Sequence, residues 1–344
     1  MTLPAAVQVL VAGATPVVLV APHTVAAIGP AVRFVAADPT VQAQFAAHVL
    51  EWEDVGSLEA FGAAVTGLAA TGVRNALPRG LIDLNRGWRG RVEAQETLFG
   101  KGAVDRWVGE NLAPGARDDV QACYRQAIAA IRTAAQGKRG MVEVHSYGEL
   151  GSTYDQLNGG RPVRRSEVAV VDATPWASAR PVGLAQLIPG DLRAVPWPLY
   201  RAFGDALGAR GLHLGPHPYP AQAPWTLSNR FLADRWFGWL GQQGLLPAVT
   251  AARLQELAWT DEQHPDLDAA LRGEPVAALD GAQELSRITL QWSADASVLG
   301  RRFVRETGVF ATTVELRLDL AGRATDAGEG IGAAIAAYLA LAPT

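Results

Sequence analysis

Residues 17–22 (VVLVAP) form a short, unbroken apolar run rich in β-branched side chains, the pattern of a strand buried on both faces. Residues 55–70 place apolar side chains at helical spacing and predict a helix entered from a loop. Residues 80–84 (GLIDL) return to a strand-like run. The spacing over 117–136 predicts a long helix, opened by Asp118 and Asp119 and closed by Gly137. Residues 141–145 (MVEVH) again have the look of a short strand. This alternation over the first half of the chain argues for a mostly parallel sheet covered by helices.

From about 150 to 285 the pattern changes, and proline, glycine and tryptophan prevail, as in Pro216-His217-Pro218-Tyr219-Pro220 and Trp236-Phe237-Gly238-Trp239. We expect an insertion or loop-rich subdomain over about 150–290, with helices near 228–244 and 246–257, carried by one catalytic domain that spans the chain. Strict alternation resumes over 309–320 and predicts a strand; a glycine-rich turn and an alanine-rich helix over about 328–342 follow. The predicted fold class is therefore α/β, with a mostly parallel or mixed central sheet flanked by helices and a large insertion.

Composition narrows the function without naming it. Of 344 residues, 49% are hydrophobic and 19% charged, enough apolar material for a large core. The net charge is −4 with both signs interspersed, so no basic block points to nucleic acid. No run of apolar residues is long enough for a membrane span, and the N-terminal stretch lacks the positive region of a signal peptide. The single cysteine, Cys123, requires no oxidising compartment. A cytoplasmic location is the default expectation.

The candidate chemistry lies at the ends of the expected strands. His23 follows the strand 17–22, and His145 ends the strand 141–145. Ligands of parallel α/β sheets bind beyond the carboxyl ends of the strands, so two histidines there can share a metal. A catalytic zinc takes three protein ligands and an open position. The cluster Glu51-Trp52-Glu53-Asp54, at a helix entrance, offers the third; each histidine is equally readable as a lone polar loop residue. In Asp83-Leu84-Asn85-Arg86 the guanidinium and amide suit a substrate's free carboxylate, or else Asp83 makes a surface ion pair with an arginine. Glu315, in the alternating strand, is either paired with Arg317 on the same face or poised as a general base. Glu143 shares the face of His145 and could orient it, or could face solvent. His213 and His217 are spaced for a helical zinc motif, but Gly215 and Pro216 break any helix between them.

Three of these segments together resemble one family. Asp83-Leu84-Asn85-Arg86 resembles the D-x-N-R segment of the zinc carboxypeptidases, Val144-His145-Ser146-Tyr147 their H-S-Y segment, and Thr313-Val314-Glu315-Leu316-Arg317 the T-x-E-L-R strand that carries their catalytic base. The chain is most similar to a sister family of that superfold, the N-formylglutamate amidohydrolases. There a P-H dipeptide closes the first strand, as Pro22-His23 does here. Trp52-Glu53-Asp54-Val55-Gly56 resembles their W-D-x-G segment with one extra residue, and Arg79 through Arg86 matches R-x-x-x-D-x-N-R. Glu143-Val144-His145-Ser146 carries Glu where their D-x-H-S has Asp. The likeness covers residues 17–148 and 309–342.

This resemblance implies a zinc-exopeptidase-like fold and one zinc ion held by His23, His145 and a carboxylate. Carboxypeptidases take that carboxylate from H-x-x-E, but Ala26 stands in the place of the glutamate. Asp54 is therefore expected as the third ligand, with Glu53 the alternative. It further implies Glu315 as the base, Arg79 as the oxyanion partner, and Asn85, Arg86, Tyr147 and Arg317 as substrate-binding residues. The implied substrate is a small N-acyl or N-formyl amino acid, or a peptide, with a free carboxylate, and Trp176, Trp197, Trp225 and Trp236 are candidates to line its pocket. Without the carboxylate in H-x-x-E, a non-catalytic binding protein on the same fold is the alternative.

Overall fold

The computed structural model describes residues 5–11, 13–23, 28–88, 102–150, 164–172, 183–189, 192–217, 226–260, 264–290 and 294–341. The chain divides into two compact units. The first comprises residues 1–171, 197–220 and 313–344, and the second residues 172–196 and 221–312.

The first unit carries the sheet, with described strands β1 (Val7–Val11), β2 (Val17–Ala21), β3 (Thr71–Asn75), β4 (Gly140–Tyr147), β5 (Val168–Asp172), β6 (Leu214–Gly215) and β7 (Phe310–Arg317). Their order across the sheet is β1-β3-β2-β4-β7-β5-β6. β2 runs parallel to both β3 and β4, β5 runs parallel to β6, and β1 closes one edge antiparallel to β3, so the sheet is mixed. β2 and β4 lie inside the sheet and every residue of both is buried, which is why they are continuously apolar where they carry no chemistry.

Helices cover the sheet: α1 (Ile28–Val32), α2 (Pro39–Glu51), α3 (Ser57–Leu68), α4 (Arg106–Glu110), α5 (Ala116–Ala135), α6 (Trp197–Gly208) and, last in the chain, α12 (Ala324–Leu341). α2 starts where its sequence directs: Asp38 caps the amides of Thr40 and Val41, and Pro39 occupies the first turn. α12 packs on α3 and α6, and its contact with α3 is backbone-close. A Cβ on Gly328 would stand 2.1 Å from the carbonyl oxygen of Ala60.

The second unit is helical among its described residues, with α7 (Leu227–Gln242), α8 (Ala248–Ala258), α9 (Pro265–Leu271), α10 (Ala282–Leu290) and α11 (Ala294–Thr307). Its core holds Trp236, stacked on Trp239, meeting Phe303 edge-on and donating its indole N–H to the carbonyl of Leu187 at 2.9 Å. Among the described residues, no helix of the chain is long and apolar enough to cross a membrane.

One expected element is corrected. Residues 80–84 are not a strand but a buried turn, in which Leu81 and Ile82 donate their amides to the carbonyl of Pro78. The strand lies earlier, at β3, and the apolar side chains of Leu81, Ile82 and Leu84 are buried without joining the sheet.

Candidate metal centre

Two strand ends meet over the sheet. Val20 of β2 is in register with Glu143 of β4, so His23, three residues on, and His145, two residues on, emerge at the same end. Their rings meet edge to face with centroids 4.6 Å apart. The exit of β2 is fixed by Asn75, whose amide donates to the carbonyl of Pro22 at 3.1 Å. Asp54 arrives from the loop between α2 and α3. Gly56, at φ 84°, begins α3 in a left-handed conformation, and the amide of Ser57 donates to the carbonyl of Asp54.

Asp54 Oδ2 stands 3.0 Å from His145 Nδ1 and 3.3 Å from His23 Nδ1, and the amide of Ser146 lies 3.3 Å from the same oxygen. His23, Asp54 and His145 are all buried, and their donor atoms lie within 4.8 Å of one another. His23 Nδ1 is buried and off the line that a hydrogen bond to Asp54 needs, so it has no hydrogen-bond partner among the described residues. Two donors each about 2.1 Å from a tetrahedral zinc are about 3.4 Å apart, close to these separations. The far nitrogens face acceptors: His23 Nε2 is 2.8 Å from Asp83 Oδ1, and His145 Nε2 is 3.4 Å from Glu143 Oε2 and 3.0 Å from the amide of Asn85. A carboxylate behind each imidazole is the support that ligating histidines use to fix tautomer and ring orientation. The residues present therefore fit a divalent metal.

The electrostatics favour a cation here. Burial works to raise the Asp54 carboxyl, but His23, His145 and Arg79 outweigh it and hold the group well below the usual range. Asp83 is likewise held low, against burial, by His23, Arg86 and Arg79. Burial opposes charge on His145, yet Asp54, Glu143 and Glu315 push it up to about 10. Three carboxylates around one imidazole thus bind a proton tightly when no metal competes.

The remaining predicted residues fall in three groups. Arg79 and Asp83 to Arg86 border the histidines: Arg79 holds Asp54 Oδ1 at 3.0 Å and Asp83 Oδ2 at 3.4 Å, and Arg86 holds Asp83 Oδ2 at 2.9 Å. Asp83 also accepts from the amide of Asn85 at 2.9 Å, and Tyr124 pins the turn by donating to the carbonyl of Arg86. The expected Asp83 ion pair is present, but it is buried. Glu315 lies buried on β7 and contributes to the charge of His145. Arg317 and Tyr147 are committed elsewhere: Arg317 to Asp319 at 2.6 Å and the carbonyl of Arg165 at 2.7 Å, and Tyr147 to the carbonyl of Ser166 at 2.5 Å.

Glu53 is half-buried and stands outside the group formed by His23, Asp54 and His145. Glu143 is fully buried, so the solvent-facing alternative does not hold. Of the tryptophans, Trp236 is a core residue of the second unit, Trp197 is exposed and stacked on Tyr200, and Trp176 and Trp225 lie outside the described residues. Leu214 and Gly215 form β6, so His213 and His217 are not on a helix. Sequence reasoning missed Asp83 as the hub that ties His23 to two arginines; the signal was its place four residues after Arg79 and three before Arg86.

No protein-family model matches the chain, and no curated protein sequence matches it. Among solved structures, it is similar to the N-formylglutamate amidohydrolase of Ralstonia eutropha JMP134, with a TM-score of 0.51, 13% identity, and coverage of 98% of this chain and 99% of that one. The gene product Atu2144 of Agrobacterium tumefaciens is similar at a TM-score of 0.45 and 16% identity, covering 97% of this chain and 96% of that one. At such identities the first likeness establishes a shared α/β fold.

Proposed function

We propose that the protein is a zinc-dependent hydrolase that cleaves an amide bond of a small N-acyl or N-formyl amino acid, or of the last residue of a peptide. The observation that carries this reading is the convergence of His23 Nδ1, His145 Nδ1 and Asp54 Oδ2, with Asp83 and Glu143 behind the two imidazoles. The shared fold with an N-formylglutamate amidohydrolase supports it. Zinc held by these three side chains supplies Lewis acidity, polarising the substrate carbonyl and lowering the pKa of a water toward about 7.

The chain's own groups do the rest. Glu315 takes the proton of the attacking water and passes it to the leaving amine nitrogen. Arg79, anchored between Asp54 and Asp83, steadies the negative charge that grows on the carbonyl oxygen. Arg86 and Asn85 receive the substrate's free carboxylate, the guanidinium being oriented by Asp83. Asp83 and Glu143 hold the imidazole orientations.

The Arg79–Asp54 ion pair favours a second reading, because a guanidinium on the third ligand competes with a metal for that carboxylate. On it, the protein binds a carboxylate ligand without catalysis. Metal analysis of protein purified without added zinc separates the two. About one equivalent of zinc, lost in His23→Ala and His145→Ala, is the expected result; no metal in a folded wild type favours the binder. Glu315→Gln is expected to retain zinc and lose hydrolysis by several orders of magnitude, and hydrolysis persisting in that variant removes Glu315 from the mechanism.

A further inference from the structure

A cleft beside the metal centre has a wall that the proposed mechanism does not use. His48, Trp52, Arg79, Asp83, Arg86 and Asp105 line it, so it shares Arg79 and Asp83 with the network around His23 and Asp54. His48 lies in the last turn of α2, and Trp52 directly follows the helix. Gly80 permits this approach, since a Cβ there would stand 3.1 Å from Val49 Cα and 3.4 Å from His48 Cδ2. The His48 ring lies against Trp52 and Trp107, with centroids 5.9 and 5.6 Å away. Its Nε2 is buried and has no hydrogen-bond partner among the described residues. Such an atom has lost its water without gaining a protein partner, so a ligand that supplies one gains what the free protein lacks. A site built this way rejects analogues that leave the buried group unpaired.

We infer that His48 is a specificity-determining residue and that this cleft takes the side chain of the substrate. It selects an N-acyl amino acid whose side chain ends in a hydrogen-bonding group over one with an alkyl side chain of similar length. The inference rests on the amide-hydrolase reading above. With the free carboxylate at Arg86, on the cleft's border, the side chain is the part of the substrate that enters it. Trp52 offers an apolar surface to the methylenes, and His48 offers the polar partner.

The test is calorimetric binding to zinc-loaded Glu315→Gln protein, with N-acetyl-L-glutamine and N-acetyl-L-norleucine as probes. The glutamine derivative is expected to bind roughly tenfold tighter or more. Adding His48→Phe abolishes that ratio, while His48→Gln, whose amide can also hydrogen-bond, restores part of it. A merely structural role weakens both probes alike and leaves the ratio unchanged. Both probes binding equally, or an unchanged ratio in the His48→Phe protein, overturns the role of His48 and leaves the hydrolase reading standing. If neither probe binds, the N-acyl amino acid reading itself falls, and this inference with it.

Discussion

His145 is the residue on which the site turns. Its proton is held by Asp54, Glu143 and Glu315, which push the imidazole up to about 10. A metal needs the neutral ring and must expel that proton. Zinc titration near pH 7 in buffers of different ionisation enthalpy is therefore expected to show release of about one proton, and affinity rising roughly tenfold per pH unit below about 10. In Glu143→Gln one of the groups favouring the charged ring is gone, and the pH at which release fades moves downward. An unaltered profile would show that Glu143 does not sense the ligand. Most of this residue set was legible in the sequence because chemistry at strand ends comes with recognisable neighbours: Pro22 before His23, Ser146 after His145. His48 was not legible, since a histidine on a helix face carries no local signal and its buried nitrogen arises only from packing against Trp52, Trp107 and Gly80.

Among the elements, the pairing of α3 with α12 is the tightest packing constraint described. The carbonyl of Ala60 lies where a Gly328 side chain would be, so Gly328→Ala must push the two helices apart. A loss of about 1–3 kcal/mol, measured by denaturant unfolding, is expected. Gly332→Ala, with 3.3 Å to the nearest backbone atom, is expected to be milder. Equal stability of Gly328→Ala and wild type would show that the helices slide freely. The elements also show what periodicity conveys and what it hides. The helices at 57–68 and 116–135 and the strands at 17–21 and 140–147 follow their apolar patterns closely. β3 was hidden because Thr-Gly-Val-Arg-Asn has one apolar side chain, and its Arg74 is occupied with Gln8 on the edge strand. The neighbouring GLIDL has the composition of a strand, but its burial is satisfied in a turn whose polar ends, Arg79 and Asp83, must face the histidines.

For the whole molecule, the ionisable groups of the site set the pH range of stability. Asp54 and Asp83 are depressed in the folded state, so their contribution is present above an unfolded value near about 3.9 and is lost as pH falls through the folded one. His145 is raised, so its contribution is full below about 6.5 and is lost as pH rises toward about 10. The metal-free protein is thus expected to have its highest Tm between roughly pH 4 and 6.5 and to decline on both sides. Saturating zinc should remove the alkaline decline, because a metal replaces the proton, and scanning calorimetry across pH with and without zinc checks it. The same alkaline decline in both samples would dissociate His145 from metal binding.

The place of β2 and β4 inside the sheet has a kinetic consequence as well. Backbone amides flanked by strands on both sides exchange with solvent only when the sheet itself opens, which in most proteins is the slowest and highest-energy opening. His23 and His145 leave the sheet from these two strands, whereas Asp54, Arg79 and Asp83 reach the site from loops. Fluctuations that loosen the loops leave the two imidazoles in register, so an ion can be released and recaptured without the chain losing the frame that recognises it.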